Sequence, residues 1–422
     1  MKILILNTSE QTGGAAVAAN RLMHVLQNVN VEVKMLVHDK TTKNQSVVAL
    51  NESFVKQMIS FIRFLWERLV IFICNLFNRK NLFQVSIANT GIDISDHPLV
   101  READIIHLHW INQGFLSLND IQKLIAIGKP IVWTLHDLWP ATGICHYPDK
   151  CIKYRKECYR CPMMVKYPLW DLAKQTFHHK LKMDFSRVTF VGCSQWIASK
   201  AKESALLQDA NFTSIPNPID TSVFKTVEKK IAREHFNLPL EKKMILFAAA
   251  KLSDTRKGAK YFIEACNILK QYYSNGELEI ILMGNCPEGL DSLLSFKVNA
   301  LGYISDVESI VKAYNCADMF VIPSLEDNLP NTIMEAMACG VPCVGFNTGG
   351  IPEMIDHCEN GYVADYMDVA DLAKGIRWVL DYKYPCALAE NCVTKVQNNY
   401  MERIVAGKYI ILYENLLQRG YC

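Results

Sequence analysis

Residues 321–353 read VIPSLEDNLPNTIMEAMACGVPCVGFNTGGIPE, and the fold follows from how that stretch is parsed. A short apolar strand, Met319 to Ile322, runs into a polar loop, Ser324 to Asn331, and then a helix, Thr332 to Cys339. A second apolar strand follows from Pro342 to Gly345, and Gly349-Gly350 makes a turn. Pro330 stands just ahead of the helix, where a missing N–H costs nothing, and the first turn offers free backbone donors. Those donors and the positive end of the helix dipole suit an anion such as phosphate. Two acids bracket the loop, Asp327 within it and Glu335 on the helix, and carboxylates accept hydrogen bonds from sugar or ribose hydroxyls. Together these features describe a pocket for a nucleotide-sugar. The bland alternative is a buried strand–helix–strand with solvated acids.

With 422 residues, half of them hydrophobic, the chain is long enough for two to three domains with their own cores. A formal charge of +2 argues against a nucleic-acid partner, which calls for a strongly basic domain. Met1-Lys2 leads straight into an apolar strand, which does not read as a secretory signal. The fifteen cysteines, an odd number scattered through apolar elements, fit free thiols in a reducing cytoplasm. The most apolar region, Met58 to Phe77, is interrupted by Arg63, Glu67 and Arg68, and its longest unbroken run, Leu69 to Cys74, is too short to span a bilayer. It is expected to be a buried helix of the first domain. The alternative is a helix lying on the inner membrane face, with Phe, Trp and Leu inward and Arg63, Arg68, Arg79 and Lys80 at the headgroups.

In the first half, a strand at 2–7 is followed by SerGluGlnThrGlyGlyAlaAla and a helix from Ala15 to Gln27. This opens a dinucleotide-type fold without the full G-x-G-x-x-G fingerprint. Gly13 and Gly14 would let backbone approach a phosphate or sugar. Further strands at Val31–Val37, Ile105–Leu108 and Ile131–Leu135 alternate with helical stretches, the pattern of a parallel sheet covered on both faces. Ligands of such sheets sit beyond the carboxyl ends of the strands. There stand His136, with Asp137 beside it, and, as secondary candidates for acceptor contact, His109 and Asn112; His107 reads as structural. Next come Cys145, Cys151, Cys158 and Cys161, ending in C-x2-C, a spacing that fits a structural tetrahedral zinc site in which His146 could replace one ligand. Basic neighbours (Lys150, Lys153, Arg155, Lys156, Arg160) would lower the thiol pKa values; a loop of free cysteines is the alternative. A strand at 187–194, a helix from Trp196 and a strand near Phe212–Ile215 close this half, and IleProAsnProIleAsp (215–220) is a turn.

The second half begins with a buried strand at 243–250 and the loop LysLeuSerAspThrArgLysGly (251–258). Lys251, Arg256 and Lys257 lie between a strand's carboxyl end and a helix start, where a departing pyrophosphate would be neutralised. Further strands are expected at 278–284, ending on Gly284, near 301–303, and from Gly361. Helices are expected from Val307, over Val369–Leu380, and over Asn391–Gln418.

The 321–353 stretch resembles the donor-site signature of retaining glycosyltransferases of family 4, which have the GT-B architecture. Their Glu-x7-Glu corresponds to Asp327 (with Glu326 just before it) and Glu335; AlaMetAlaCysGly and the turn Gly349, Gly350, Glu353 match as well. Lys251 stands where the family has Arg, and Pro218 replaces a junction glycine. The resemblance implies an α/β fold of two Rossmann-like doubly wound domains facing a cleft: 1–216, carrying the Cys-rich insert 145–161, then 217–390, and a helical segment 391–422 returning to the first domain. It implies His136, Asp327 and Glu335 as catalytic residues. Donor contacts would come from Gly13, Gly14, Lys251, Arg256, Lys257, Gly284, Tyr303, Ile304, Asn328, Leu329, Pro330 and Asn331.

The implied reaction is metal-independent transfer of a hexosyl unit from a nucleotide-sugar to a glycan or lipid-linked glycan, in cell-surface polysaccharide biosynthesis. The enzyme would be cytoplasmic, with peripheral contact at the inner membrane face. The Cys-rich insert itself resembles one in colanic acid fucosyltransferase-like enzymes of exopolysaccharide clusters. Rival readings are a sugar-nucleotide epimerase of the same architecture and a zinc-binding scaffold without catalysis.

Overall fold

The computed structural model describes residues 1–51, 53–287 and 289–419. The chain forms two compact units, Met1–Pro218 with the segment from Val405 onward, and Ile219–Ile404. The first unit is built on seven strands: β1 (Lys2–Ser9), β2 (Glu32–Asp39), β3 (Val47–Ala49), β4 (Ile105–Leu108), β5 (Ile131–Leu135), β6 (Val188–Gly192) and β7 (Asn211–Ser214). They pair in parallel in the order β3-β2-β1-β4-β5-β6-β7. Alternate residues of one strand serve opposite cores, as the two-residue period requires: Leu4, Leu6, Ile106, Leu108 and Trp133 on one face, Ile3, Ile5, Ile105 and Val132 on the other. The second core is completed by Val405, Tyr409 and Tyr413.

The second unit repeats the plan with β8 (Lys243–Lys251), β9 (Leu278–Asn285), β10 (Lys297–Gly302), β11 (Met319–Ile322), β12 (Cys343–Phe346) and β13 (Gly361–Ala364), in the parallel order β10-β9-β8-β11-β12-β13. In each sheet the strand order reverses once, between β1 and β4 and between β8 and β11. Loops leaving the carboxyl ends of those pairs diverge and open a crevice. Both sheets are thus doubly wound and Rossmann-like, as the sequence led us to expect.

Three expectations are corrected. The terminal helix is not continuous: Pro385–Asn399 and Glu402–Arg419 are separate helices, and residues 420–422 of the expected segment lie outside the described residues. Leu388, Cys392 and Val396 are buried in the first, Val405, Tyr409 and Tyr413 further along. The break falls at Tyr400–Met401, where the Tyr400 carbonyl accepts the Ile219 N–H at 2.9 Å.

The 58–77 region is likewise not a buried helix. The helix Phe54–Cys74 buries its polar side instead. Glu67 accepts the Ile87 and Ala88 N–H groups at 2.8 and 2.9 Å and pairs with Arg68 at 2.8 Å, while Arg68 donates to the Val85 carbonyl at 3.0 Å. Finally, the strand expected at 301–303 lies earlier, at 297–302, so Tyr303 and Ile304 follow its carboxyl end.

Candidate active site

In the second unit, the loop after β8 and the loop after β11 are stitched together. Lys257 Nζ meets Asp327 Oδ2 at 2.6 Å, Leu325 N donates to the Arg256 carbonyl at 2.7 Å, and Ser324 Oγ donates to Asp327 at 3.3 Å. Gly258 adopts φ +72°, and a Cβ there would stand 1.8 Å from the Pro323 carbonyl oxygen. Only glycine permits that approach. Gly349 is the same case: φ +60°, with Asp327 O at 1.7 Å from a Cβ, and Gly350 N donates to that same carbonyl at 3.0 Å. The Gly-Gly turn therefore props the acidic loop from behind.

The helix Asn331–Ala338 starts from Pro330, whose ring supplies no capping side chain, and the Pro330 carbonyl accepts the Ile333 N–H at 3.1 Å. Asn328 and Leu329, just before it, are buried, and Glu335 accepts a hydrogen bond from the Tyr314 hydroxyl at 2.9 Å. Burial, with Glu335 beside it, holds the Tyr314 hydroxyl protonated far above its ordinary range. Lys251 is exposed at the end of β8, and Arg256 bonds Asp254 at 3.2 Å. Gly284, at φ +127°, packs on Ala249 O near the end of β9. The structure thus gathers Lys257, Asp327, Asn328, Pro330 and Asn331 around the reversal of the second sheet. Tyr303 and Ile304 follow the carboxyl end of the outer strand β10.

The first unit answers with a different chemistry. Gly13, at φ +91°, ends the turn after β1 with open space where a side chain would stand, and Gly14 begins the next helix. His136 follows β5, and its Nε2 lies 2.8 Å from Nδ1 of His109, which follows β4. Its Nδ1 lies 3.7 Å from the Cys193 thiol. Burial lowers the His136 pKa to about 4, only partly opposed by Asp137, so this ring is neutral near pH 7. His107 is held on both nitrogens, by Tyr413 and Thr134 at 2.7 Å each, which makes it structural, and burial takes its pKa down to about 3. His109 Nε2 and Asn112 Oδ1 are buried without a hydrogen-bond partner among the described residues. Both residues border one small cavity with His136.

Asp137 is occupied elsewhere, bonding His146 Nδ1 at 2.6 Å and Trp110 Nε1 at 3.0 Å. Since His146 Nε2 meets Ser86 at 3.1 Å, neither nitrogen of His146 is offered to a metal. Cys145, Cys151, Cys158 and Cys161 line one small cavity. Among the described residues, however, no group of three or more His, Cys, Asp or Glu is placed to hold a metal ion. Two of these thiols depart from the expected lowering by basic neighbours: a hydrogen bond with Cys161, together with burial, pushes Cys145 up, and burial takes Cys158 to about 11. Cys161 falls, chiefly through the bond to Cys145 and with help from Lys153.

Two contributors were illegible in the sequence. Tyr314 sits mid-helix in an ordinary amphipathic pattern, and nothing local marks a hydroxyl that reaches Glu335. The Asp137–His146 pair joins a strand end to the Cys-rich insert, a contact with no sequence spacing to announce it.

Residues 242–382 match the family described as Glycosyl transferases group 1. This segment is a group 1 glycosyltransferase domain. The glycosyltransferase chain is 25% identical over 292 residues to the putative colanic acid biosynthesis glycosyl transferase WcaC of Escherichia coli, covering 66% of this chain and 67% of that one. It is 29% identical over 368 residues to an uncharacterized glycosyltransferase of Methanocaldococcus jannaschii, covering 79% and 90%. Among solved structures, sucrose-phosphate synthase of Thermosynechococcus elongatus superposes with a TM-score of 0.71 at 17% identity over 99% of this chain and all of that one. HepE of Anabaena, in complex with UDP and glucose, gives 0.64 at 18% identity over 98% and 99%. The fold is therefore GT-B, and the chain is a nucleotide-sugar-dependent glycosyltransferase.

Proposed function

We propose that this glycosyltransferase moves a hexosyl unit, with retention, from a nucleoside-diphospho-sugar to a glycan or lipid-linked glycan during assembly of a cell-surface polysaccharide. The observation that carries the donor half of this reading is the 2.6 Å contact between Lys257 and Asp327. It sets a cation and an anion side by side at the reversal of a parallel sheet, next to the start of the helix Asn331–Ala338. In this reading the diphosphate leaves toward Lys251, Arg256, Lys257 and the helix beginning at Asn331, where positive charge stabilises what develops on it. Glu335, oriented by Tyr314, takes the ribose hydroxyls. Asp327 takes hydroxyls of the transferred sugar, and backbone around Gly284, Tyr303 and Ile304 brackets the base.

His136 is assigned to the sugar as a neutral hydrogen-bonding group. Gly13 and Gly14 are assigned a close backbone approach, and His109 with Asn112 the acceptor. A front-face mechanism needs no protein nucleophile, and no metal takes part in this chemistry. Zinc at Cys145, Cys151, Cys158 and Cys161 would be structural, and metal analysis of the purified protein decides its presence. The acceptor class is supported by names among the relatives, such as a diphospho-undecaprenol N-acetylgalactosaminyltransferase of Campylobacter jejuni, 31% identical over 188 residues, 43% of this chain and 47% of that one.

The test is a panel of UDP-, GDP- and ADP-sugars. A cognate donor at a hundredfold excess over its dissociation constant raises the unfolding free energy by about 2.7 kcal/mol, and Glu335→Gln abolishes that gain. Donor sugars interconverted without any acceptor would mean an epimerase. No stabilisation by any nucleotide-sugar would overturn the reading.

A further inference from the structure

The helix Phe54–Cys74 is inside out. Phe54, Val55, Met58, Ile59, Phe61, Ile62, Leu65, Trp66 and Leu69 are each 43–75% exposed. At 3.6 residues per turn these nine fall within an arc of about 160° on one side of the helix. Ser60, Glu67, Arg68, Ile71 and Cys74 occupy the opposite, buried side. Single exposed apolar residues are ordinary on a protein surface; nine on one face mark a contact surface.

The apolar surface continues beyond the helix. Phe83 stacks on Phe64 at 6.4 Å, and Phe77 meets Phe72 edge-on at 5.4 Å. Leu169 N donates to the Cys74 carbonyl at 3.1 Å and Val165 N to Asn75 Oδ1 at 2.7 Å, so the segment carrying exposed Tyr167, Leu169 and Trp170 is tied to the helix end.

Charge decides what covers this face. Between Ser53 and Phe83 and between Met163 and Trp170 the sequence holds one acid, Glu67, and that carboxylate is buried. Every exposed charge in those two stretches is basic: Lys56, Arg79, Lys80 and Lys166. Arg79 lies 6.0 Å from the Phe72 ring and Lys166 5.4 Å from the Tyr167 ring, so the cations edge the aromatic surface itself. A second copy of the same face would bring like charges together. An anionic bilayer accepts both parts, with rings and aliphatic chains below the phosphates and ammonium and guanidinium groups among them. No described helix is long and apolar enough to cross a membrane, so the contact is a lateral one.

We propose that this face docks the enzyme, lying flat, on an anionic phospholipid surface. This rests on the lipid-linked branch of the acceptor reading above, which it sharpens by placing the enzyme where such an acceptor resides. The full chain is sedimented with phosphatidylcholine vesicles, with and without phosphatidylglycerol. It should pellet with the anionic vesicles and stay in solution with the neutral ones. Leu65→Ser/Trp66→Ser should weaken partitioning by roughly tenfold or more, and Arg79→Ser/Lys80→Ser by on the order of tenfold.

Both variants alter exposed side chains and should keep the wild-type melting temperature and its shift with UDP, GDP or ADP. A wild-type chain that ignores anionic vesicles, binds both kinds equally, or forms a dimer that the Leu65/Trp66 variant dissolves without any vesicle binding overturns the proposal. The nucleotide-induced shift is read without vesicles, so its failure would strike the donor reading and leave the docking result standing.

Discussion

The two units share a plan and differ at its most exposed point. Each sheet reverses its strand order once, and each reversal gathers the residues of interest. In the second unit that position holds charge: Lys251, Arg256, Lys257, Asp327 and Glu335. In the first it holds neutral rings, His107 and His109 buried and His136 half-buried, with Tyr409 and Tyr413 behind them. Topology alone therefore fixes where a ligand can sit, and the side chains fix what kind. A crevice of cations and helix N–H groups suits a leaving diphosphate. One of neutral imidazoles suits hydroxyls, which need donors and acceptors but no counter-charge.

Four measurements break or sharpen that contrast. The largest effect belongs to Lys257→Ala, which should cut the rate of nucleoside-diphosphate release by about a hundredfold or more. A rate within a few-fold of wild type would detach the charged crevice from the chemistry. Gly349→Ala comes next. Its methyl group would meet the Asp327 carbonyl at 1.7 Å in a left-handed backbone, so about 2–4 kcal/mol of stability should be lost in urea titration, together with donor affinity.

The third is a pH effect confined to the first unit. Burial lowers His107 to about 3 and His136 to about 4, below the ordinary 6.5. As pH falls the unfolded chain takes up protons first, so stability is complete above about pH 6.5 and drains away toward those folded values. The loss is about 2 kcal/mol for each of the two by pH 5. In the second unit His235 and His357 are exposed. Six of the seven tryptophans lie in the first unit, so acid unfolding followed by their fluorescence should precede loss of nucleotide binding. Simultaneous loss would remove the distinction between the two crevices. The smallest effect is Tyr314→Phe, which frees Glu335 from one hydrogen bond. KM for the donor should rise several-fold, about 1 kcal/mol, with kcat nearly unchanged.

Most strands of both sheets were legible because a parallel sheet buried on both faces writes itself as short apolar runs, such as Ile105–Leu108 and Met319–Ile322. The charged loop was legible for a related reason, since Lys257, Asp327 and the Gly-Gly turn lie on the segments that end those runs. What stayed hidden depends on partners distant in sequence. The direction of the helix Phe54–Cys74 could not be read from its own pattern, because Glu67 and Arg68 look like a solvated face until Ile87, Ala88 and Val85 supply backbone groups for them. The edge strand β3, three residues long, leaves too short a pattern to recognise. The break at Tyr400 is likewise invisible locally, for the partner of its carbonyl, the Ile219 N–H, lies far away in sequence.

That break has a consequence for biosynthesis. Tyr413 supplies the partner of His107 Nδ1, and Tyr409 meets Thr134 at 3.1 Å, so the first unit draws part of its interior from residues translated after the second unit. While the ribosome is still decoding the second unit, the nascent first sheet has one bare apolar flank, including Ile5, Ile105 and Val132. It can be finished only after the helix Glu402–Arg419 clears the exit tunnel, whereas the second unit is already complete by then.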